Sequence, residues 1–169
     1  RPSVVNEGFW TGNDTAYADD EPDCILVVED ESIVALDIKM HLERYGYRVP
    51  EPLATGEEAL VAVEDLHPSL IIMDIKLQGH LDGLETAQEI RRRFATPVVM
   101  LTAHADEATI ERAIGSHPFA YIIKPFEERE LRTTVAVALA RHRMERAIAD
   151  REKLLETTLN SIGEEIGKS

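Results

Sequence analysis

The 169-residue chain carries 32 acidic residues against 18 basic ones, a formal net charge of −14. That balance argues against direct work on DNA or RNA, where affinity rests on neutralising phosphates. No run approaches the ~20 apolar residues of a membrane-spanning helix. The first ten residues lack the charged-then-apolar pattern of a secretion signal. Cys24, the single cysteine, can form no intrachain disulfide, so the expected compartment is the cytoplasm. Most of the carboxylates serve solubility, but a concentrated cluster of them can hold a divalent cation.

Residues 1–22 show neither helical nor strand periodicity and are rich in Asp, Asn, Gly and Thr; a disordered tail is expected. From Cys24 the pattern becomes regular. The run CILVV is short, unbroken and apolar, as in a strand covered on both faces, and Cys24 is expected to be buried and inert. Ser32 to Tyr45 reads as a helix with Ser32 as N-cap, Ile33, Leu36, Met40 and Leu42 sharing a face, and Gly46 ending it. A second strand is expected around Tyr47 to Leu53, at or near a sheet edge because Pro50 and Pro52 lack N–H donors.

Gly56 to Leu66 reads as the second helix, and Leu70 to Met73, ending at Asp74, as the third strand. A third helix follows over Leu84 to Phe94, with Arg91, Arg92 and Arg93 near its partially negative end. Pro97 to Leu101 is the fourth strand, Asp106 to Gly115 the fourth helix, Phe119 to Ile123 the fifth strand. After Pro125 a long helical pattern begins. Five strands alternating with helices specify an α/β fold, a doubly wound parallel sheet of flavodoxin-like order 2-1-3-4-5 with an extended C-terminal helix.

Ligands in such sheets bind at the carboxyl ends of the strands. Those ends carry Glu29 and Asp30, then Asp74, Thr102 and Lys124. Taken singly, Glu29 or Asp30 could be a helix N-terminal charge, Thr102 a cap and Lys124 a surface cation. Converging on one edge, the three carboxylates need a counter-charge, and oxygen ligands of this kind suit a hard Mg²⁺ beside phosphate oxygens.

The motifs VVED at 27–30, MD at 73–74, LTA at 101–103 and KPF at 124–126 resemble the response-regulator receiver family over roughly residues 23–142. The resemblance implies a phosphorelay receiver. Asp74 would be the phosphoacceptor, served by a histidine kinase or phosphotransfer protein. Mg²⁺ would be held by Asp30, Glu29, Asp74 and the backbone carbonyl of Lys76. Lys124 and Thr102 would sense the phosphoryl group, and Tyr121, three residues before Lys124, would be the switch aromatic on a surface of fourth helix, fifth strand and fifth helix. Lys76 and His104 would flank the water route to the acyl phosphate and tune dephosphorylation. Such a chain is no enzyme beyond catalysing its own phosphorylation and dephosphorylation.

The loop DIKLQGHLDG departs from the family pattern. Gln78 stands where a proline is usual, and Asp82-Gly83 come one residue late, so a longer loop shaped by Gly79 is expected. His80 reads as an exposed loop residue. Residues 143–169 form a helical extension in which Met144, Ile148, Leu155, Thr158 and Ile162 follow a heptad-compatible stripe with Arg151 between. A homodimer through this helix and the switch surface, or a signalling connector, is expected. The segment REKLLETTLNSIG also resembles the lead-in to a PAS domain in receiver-PAS-histidine kinase chains, so the sequence reads as a stand-alone receiver or the front of something longer. Two other readings compete: a receiver-shaped docking module that takes no phosphate, and an aspartate-nucleophile phosphatase. The latter needs D-x-D at its nucleophile, and Asp74-Ile75-Lys76 lacks the second aspartate.

Overall fold

A computed structural model describes residues 21–103, 111 and 120–167. Its elements are β1 (Ile25–Val28), α1 (Ser32–Arg44), α2 (Gly56–Leu66), β2 (Leu70–Asp74), α3 (Gly83–Phe94), β3 (Val98–Ala103), β4 (Ala120–Lys124) and α4 (Glu128–Gly167). The four strands are all parallel, in the order β1-β2-β3-β4. The expected fourth helix over Asp106 to Gly115 lies outside the described residues, apart from Glu111.

Because strand side chains alternate between faces, each apolar run supplies both layers of the core. Ile25, Val27, Leu70, Ile72, Val99, Leu101 and Ile122 face one layer, where α1 and α4 pack with Ile38, Leu42, Leu131 and Val135. Leu26, Val28, Ile71, Met73, Val98 and Met100 face the other, covered by α2 and α3 with Val63, Leu84 and Ile90. Cys24 is free and buried, as expected, and burial pushes its thiol pKa up.

Three expectations need correction. The segment 47–53 is not a strand: it meets β1 only at the isolated parallel bridges Cys24↔Arg48 and Val28↔Leu53. Five steps of chain there span four of β1, and Pro50 and Pro52 have no N–H to fill the gap. The segment still lies on the edge of β1 opposite β2, where the second strand was expected, with Glu29 N donating to Leu53 O at 2.8 Å.

The N-cap of α1 is Glu31 rather than Ser32, and no side chain caps it. The buried face of α1 is Ala35, Ile38 and Leu42, while Ile33, Leu36 and Met40 are exposed. Leu42 lies nine residues beyond Ile33, about half a turn out of phase at 3.6 residues per turn, so the two cannot share a face. Gly46 does follow the helix end in a left-handed conformation, with φ of 93°.

Candidate functional site

The carboxyl edge of the sheet gathers the predicted residues because parallel pairing in register brings the strand ends level. Val28 pairs with Met73, Asp74 with Leu101, and Ala103 with Lys124. Glu29, Asp30 and Asp74 each offer one carboxylate oxygen, all within 4.8 Å of one another. The Lys124 ammonium donates to Asp74 Oδ2 at 2.8 Å and also to Glu29 Oε1. Asp74 Oδ1 accepts the Lys76 backbone N–H at 3.1 Å, and Glu29 Oε2 accepts that of Glu31 at 3.3 Å.

These groups are unevenly buried. The Glu29 side chain has no solvent exposure and that of Asp74 is 10% exposed. Burial first, then the hydrogen bond and negative charge of Asp74, raise the Glu29 pKa to about 7, against the pull of Lys124 and the Glu31 amide. Burial opposes the charge on Lys124, yet its bonds to Asp74 and Glu29 hold its pKa above the ordinary value. One ammonium therefore serves two carboxylates in a partly desolvated pocket, with a third beside them. Three clustered oxygen donors with incomplete charge compensation fit a hard divalent cation.

Thr102 is buried at the end of β3, and its hydroxyl donates to the Ala103 carbonyl at 3.4 Å. Tyr121 lies half-buried on β4 against the α2/α3 layer, and burial raises its phenol pKa. Lys76 is exposed just beyond β2. His104 lies outside the described residues. The Lys124–Pro125 peptide is cis.

The loop after Asp74 is shaped by Gly79, as expected, and by Glu57, which no sequence pattern singles out. Gln78 bridges Thr55, and Gly79 adopts φ of 105°. The Glu57 carboxylate accepts the backbone N–H groups of His80 and Leu81 at 2.9 and 3.0 Å. Its own backbone N–H first, then the Leu81 and His80 amides, lower the Glu57 pKa. His80 is exposed, as expected. Asp82 then caps α3 in a reciprocal box with Glu85.

A second feature that periodicity alone misplaced is the outer face of α1. Ile33, 82% exposed, borders a crevice of about 450 Å³ that also includes Val34, Lys124, Pro125 and Phe126. The crevice thus opens beside the lysine that bonds Asp74.

A doubly wound parallel sheet with an acidic triad and a lysine at its carboxyl edge defines a receiver-type α/β domain. The chain belongs to the response regulator receiver domain family of two-component systems, which it matches over residues 25–136. It is 33% identical over 140 residues to the transcriptional regulatory protein PdtaR of Mycobacterium tuberculosis, covering 80% of this chain and 68% of that protein. Transcriptional regulatory protein ResD of Bacillus subtilis is 37% identical over 117 residues, and there the match spans only 48% of ResD. Among solved structures, the receiver domain of a modulated diguanylate cyclase from Desulfovibrio desulfuricans G20 superposes with a TM-score of 0.69 at 33% identity. That match covers 73% of this chain and 98% of the other. Receiver domains hold Mg²⁺ at an acidic pocket and interact with histidine kinases or phosphotransfer proteins.

Proposed function

We propose that this chain accepts a phosphoryl group on Asp74 from the phosphohistidine of a kinase or phosphotransfer protein. The observation that carries this reading is the 2.8 Å bond from Lys124 to an Asp74 carboxylate clustered with Glu29 and Asp30. A carboxylate oxygen of Asp74 attacks phosphorus, the P–N bond of the phosphohistidine breaks, and the imidazole leaves with the electron pair. Asp30 and Asp74, with the Lys76 carbonyl and a Glu29-held water, would bind Mg²⁺. The bound ion would offset repulsion between these carboxylates and the incoming phosphoryl oxygens. Lys124 then shifts from the carboxylate to a phosphoryl oxygen, and Thr102 turns its hydroxyl to another. The motion of Thr102 makes room for Tyr121 to turn inward, which changes the surface around β4 and the start of α4.

The exposed stripe Ile33, Leu36 and Met40, beside the crevice at Phe126, supports docking of an apolar helical partner within reach of Asp74. Residues 23–142 would constitute the receiver and residues from 143 onward a connector. The phosphatase reading is weaker, because the residue two positions past Asp74 is Lys76, which offers no carboxylate to act as acid/base.

Incubation with acetyl phosphate and Mg²⁺, followed by intact mass measurement, tests the reading. One phosphoryl adduct that chelation of the metal abolishes is the expected result. No adduct would favour a docking module that takes no phosphate.

A further inference from the structure

Helix α4 runs 40 residues, Glu128–Gly167, which at 1.5 Å per residue is roughly 60 Å. Leu131, Val135, Ala138 and Leu139 bury its first half against the sheet. Beyond that, every residue from Arg143 to Gly163 is exposed. This stretch nevertheless carries Met144, Ile148, Leu154, Leu155, Leu159 and Ile162, each 49–67% exposed.

Their placement is one-sided. Ile148, Leu155 and Ile162 recur every seventh residue, and Met144, Arg151 and Thr158 precede them by four. Leu154 and Leu159 flank this seam, while Arg146, Asp150, Lys153, Glu156 and Asn160 fill the opposite half. Thr158 fits an apolar seam, because its hydroxyl already donates to the Leu154 carbonyl of its own turn at 2.9 Å.

We infer that a second copy of this chain covers this face in a parallel, in-register, two-stranded coiled coil. Register and direction follow from the flanking positions. In a parallel pair, a residue preceding the seam faces the one five positions later on the other helix, which sets Leu154 against Leu159 of the second copy. The single cation in the seam, Arg151, would then stand beside Glu152 of the second copy. An antiparallel pair would lose both matches. A dissimilar partner helix would need its own complement to Arg151, whereas a second copy supplies it.

Light scattering coupled to size exclusion tests this on the full chain. The expected mass is twice that of the chain, falling to a single chain in the double variant Ile148→Asp, Leu155→Asp. Both positions are exposed, so helicity and phosphoryl acceptance should stay at parental levels. Under mild oxidation, Leu155→Cys should give a covalent dimer, while the parental chain, with Cys24 buried, should not. A monomeric parental chain, a dimer that survives the double substitution, a larger assembly, or a dimer that does not cross-link through Leu155→Cys would each overturn the inference.

Discussion

Gly83 presses against the backbone of Asp74: a β-carbon on Gly83 would fall 1.9 Å from the Asp74 carbonyl oxygen. The contact is locked by the Gly83 N–H, which donates to the Ile75 carbonyl at 2.8 Å. The first turn of α3 is thereby fixed against the strand end that carries the site. Gly83→Ala must push the two apart, and overpacking of this kind costs about 1–3 kcal/mol. We expect lower stability in chemical denaturation and slower phosphorylation by acetyl phosphate. A variant with parental values in both would show that this contact does not position Asp74.

Proton and metal should compete at Glu29. Its pKa of about 7 in the folded chain lies above its ordinary value of 4.5. The folded state therefore keeps a proton that the unfolded chain has lost. This contribution favours the metal-free fold below the unfolded pKa and is lost as pH rises through about 7. Mg²⁺ relieves the carboxylate repulsion that deprotonation creates, so its apparent affinity should weaken, by up to about tenfold per pH unit below 7. The Mg²⁺-induced rise in melting temperature should be larger near pH 8 than near pH 6, and Glu29→Gln should flatten the difference. Equal rises at both pH values in the parental chain would contradict this.

Glu57 should govern the order of the loop after Asp74 without taking part in the chemistry. Its carboxylate accepts the His80 and Leu81 amides, and a β-carbon on Gly79 would lie 2.8 Å from Glu57 Oε2. With Glu57→Ala, the His80 and Leu81 amides should exchange hydrogen faster while strand amides keep their protection. Unchanged exchange at both would mean that the loop holds its shape by other contacts.

Substitution at Ile33 should separate partner docking from chemistry. At 82% exposure it adds little to the fold, so Ile33→Asp should change stability by no more than about 0.5 kcal/mol. Phosphorylation by acetyl phosphate should stay at the parental rate, while transfer from a phosphorylated histidine-containing protein should slow. Equal rates for both donors, before and after substitution, would remove α1 from the docking surface.

The strands were legible where the code is local. The short apolar runs Ile25 to Val28 and Leu70 to Met73 read as strands covered on both faces, and a parallel sheet brings their carboxyl ends level. Strand pattern alone therefore brings Glu29, Asp30, Asp74 and Lys124 to one edge. What failed depended on competition between equal local signals or on long-range partners. Helix α1 has apolar residues on two faces, and only the shape of the sheet selects Ala35, Ile38 and Leu42. The segment 47–53 has β-like residues, but its two prolines and one extra residue break the ladder. Glu57 reaches across more than twenty positions to His80 and Leu81, a link no helical or strand period encodes.

Asp74, and no other side chain, should take the phosphoryl group. The most direct measurement is to phosphorylate with acetyl phosphate and Mg²⁺, digest rapidly, and locate the modified residue by tandem mass spectrometry. We predict an acyl phosphate on Asp74 alone and no adduct in Asp74→Ala. A phosphoryl group on Asp30, on a histidine, or surviving Asp74→Ala would contradict the account.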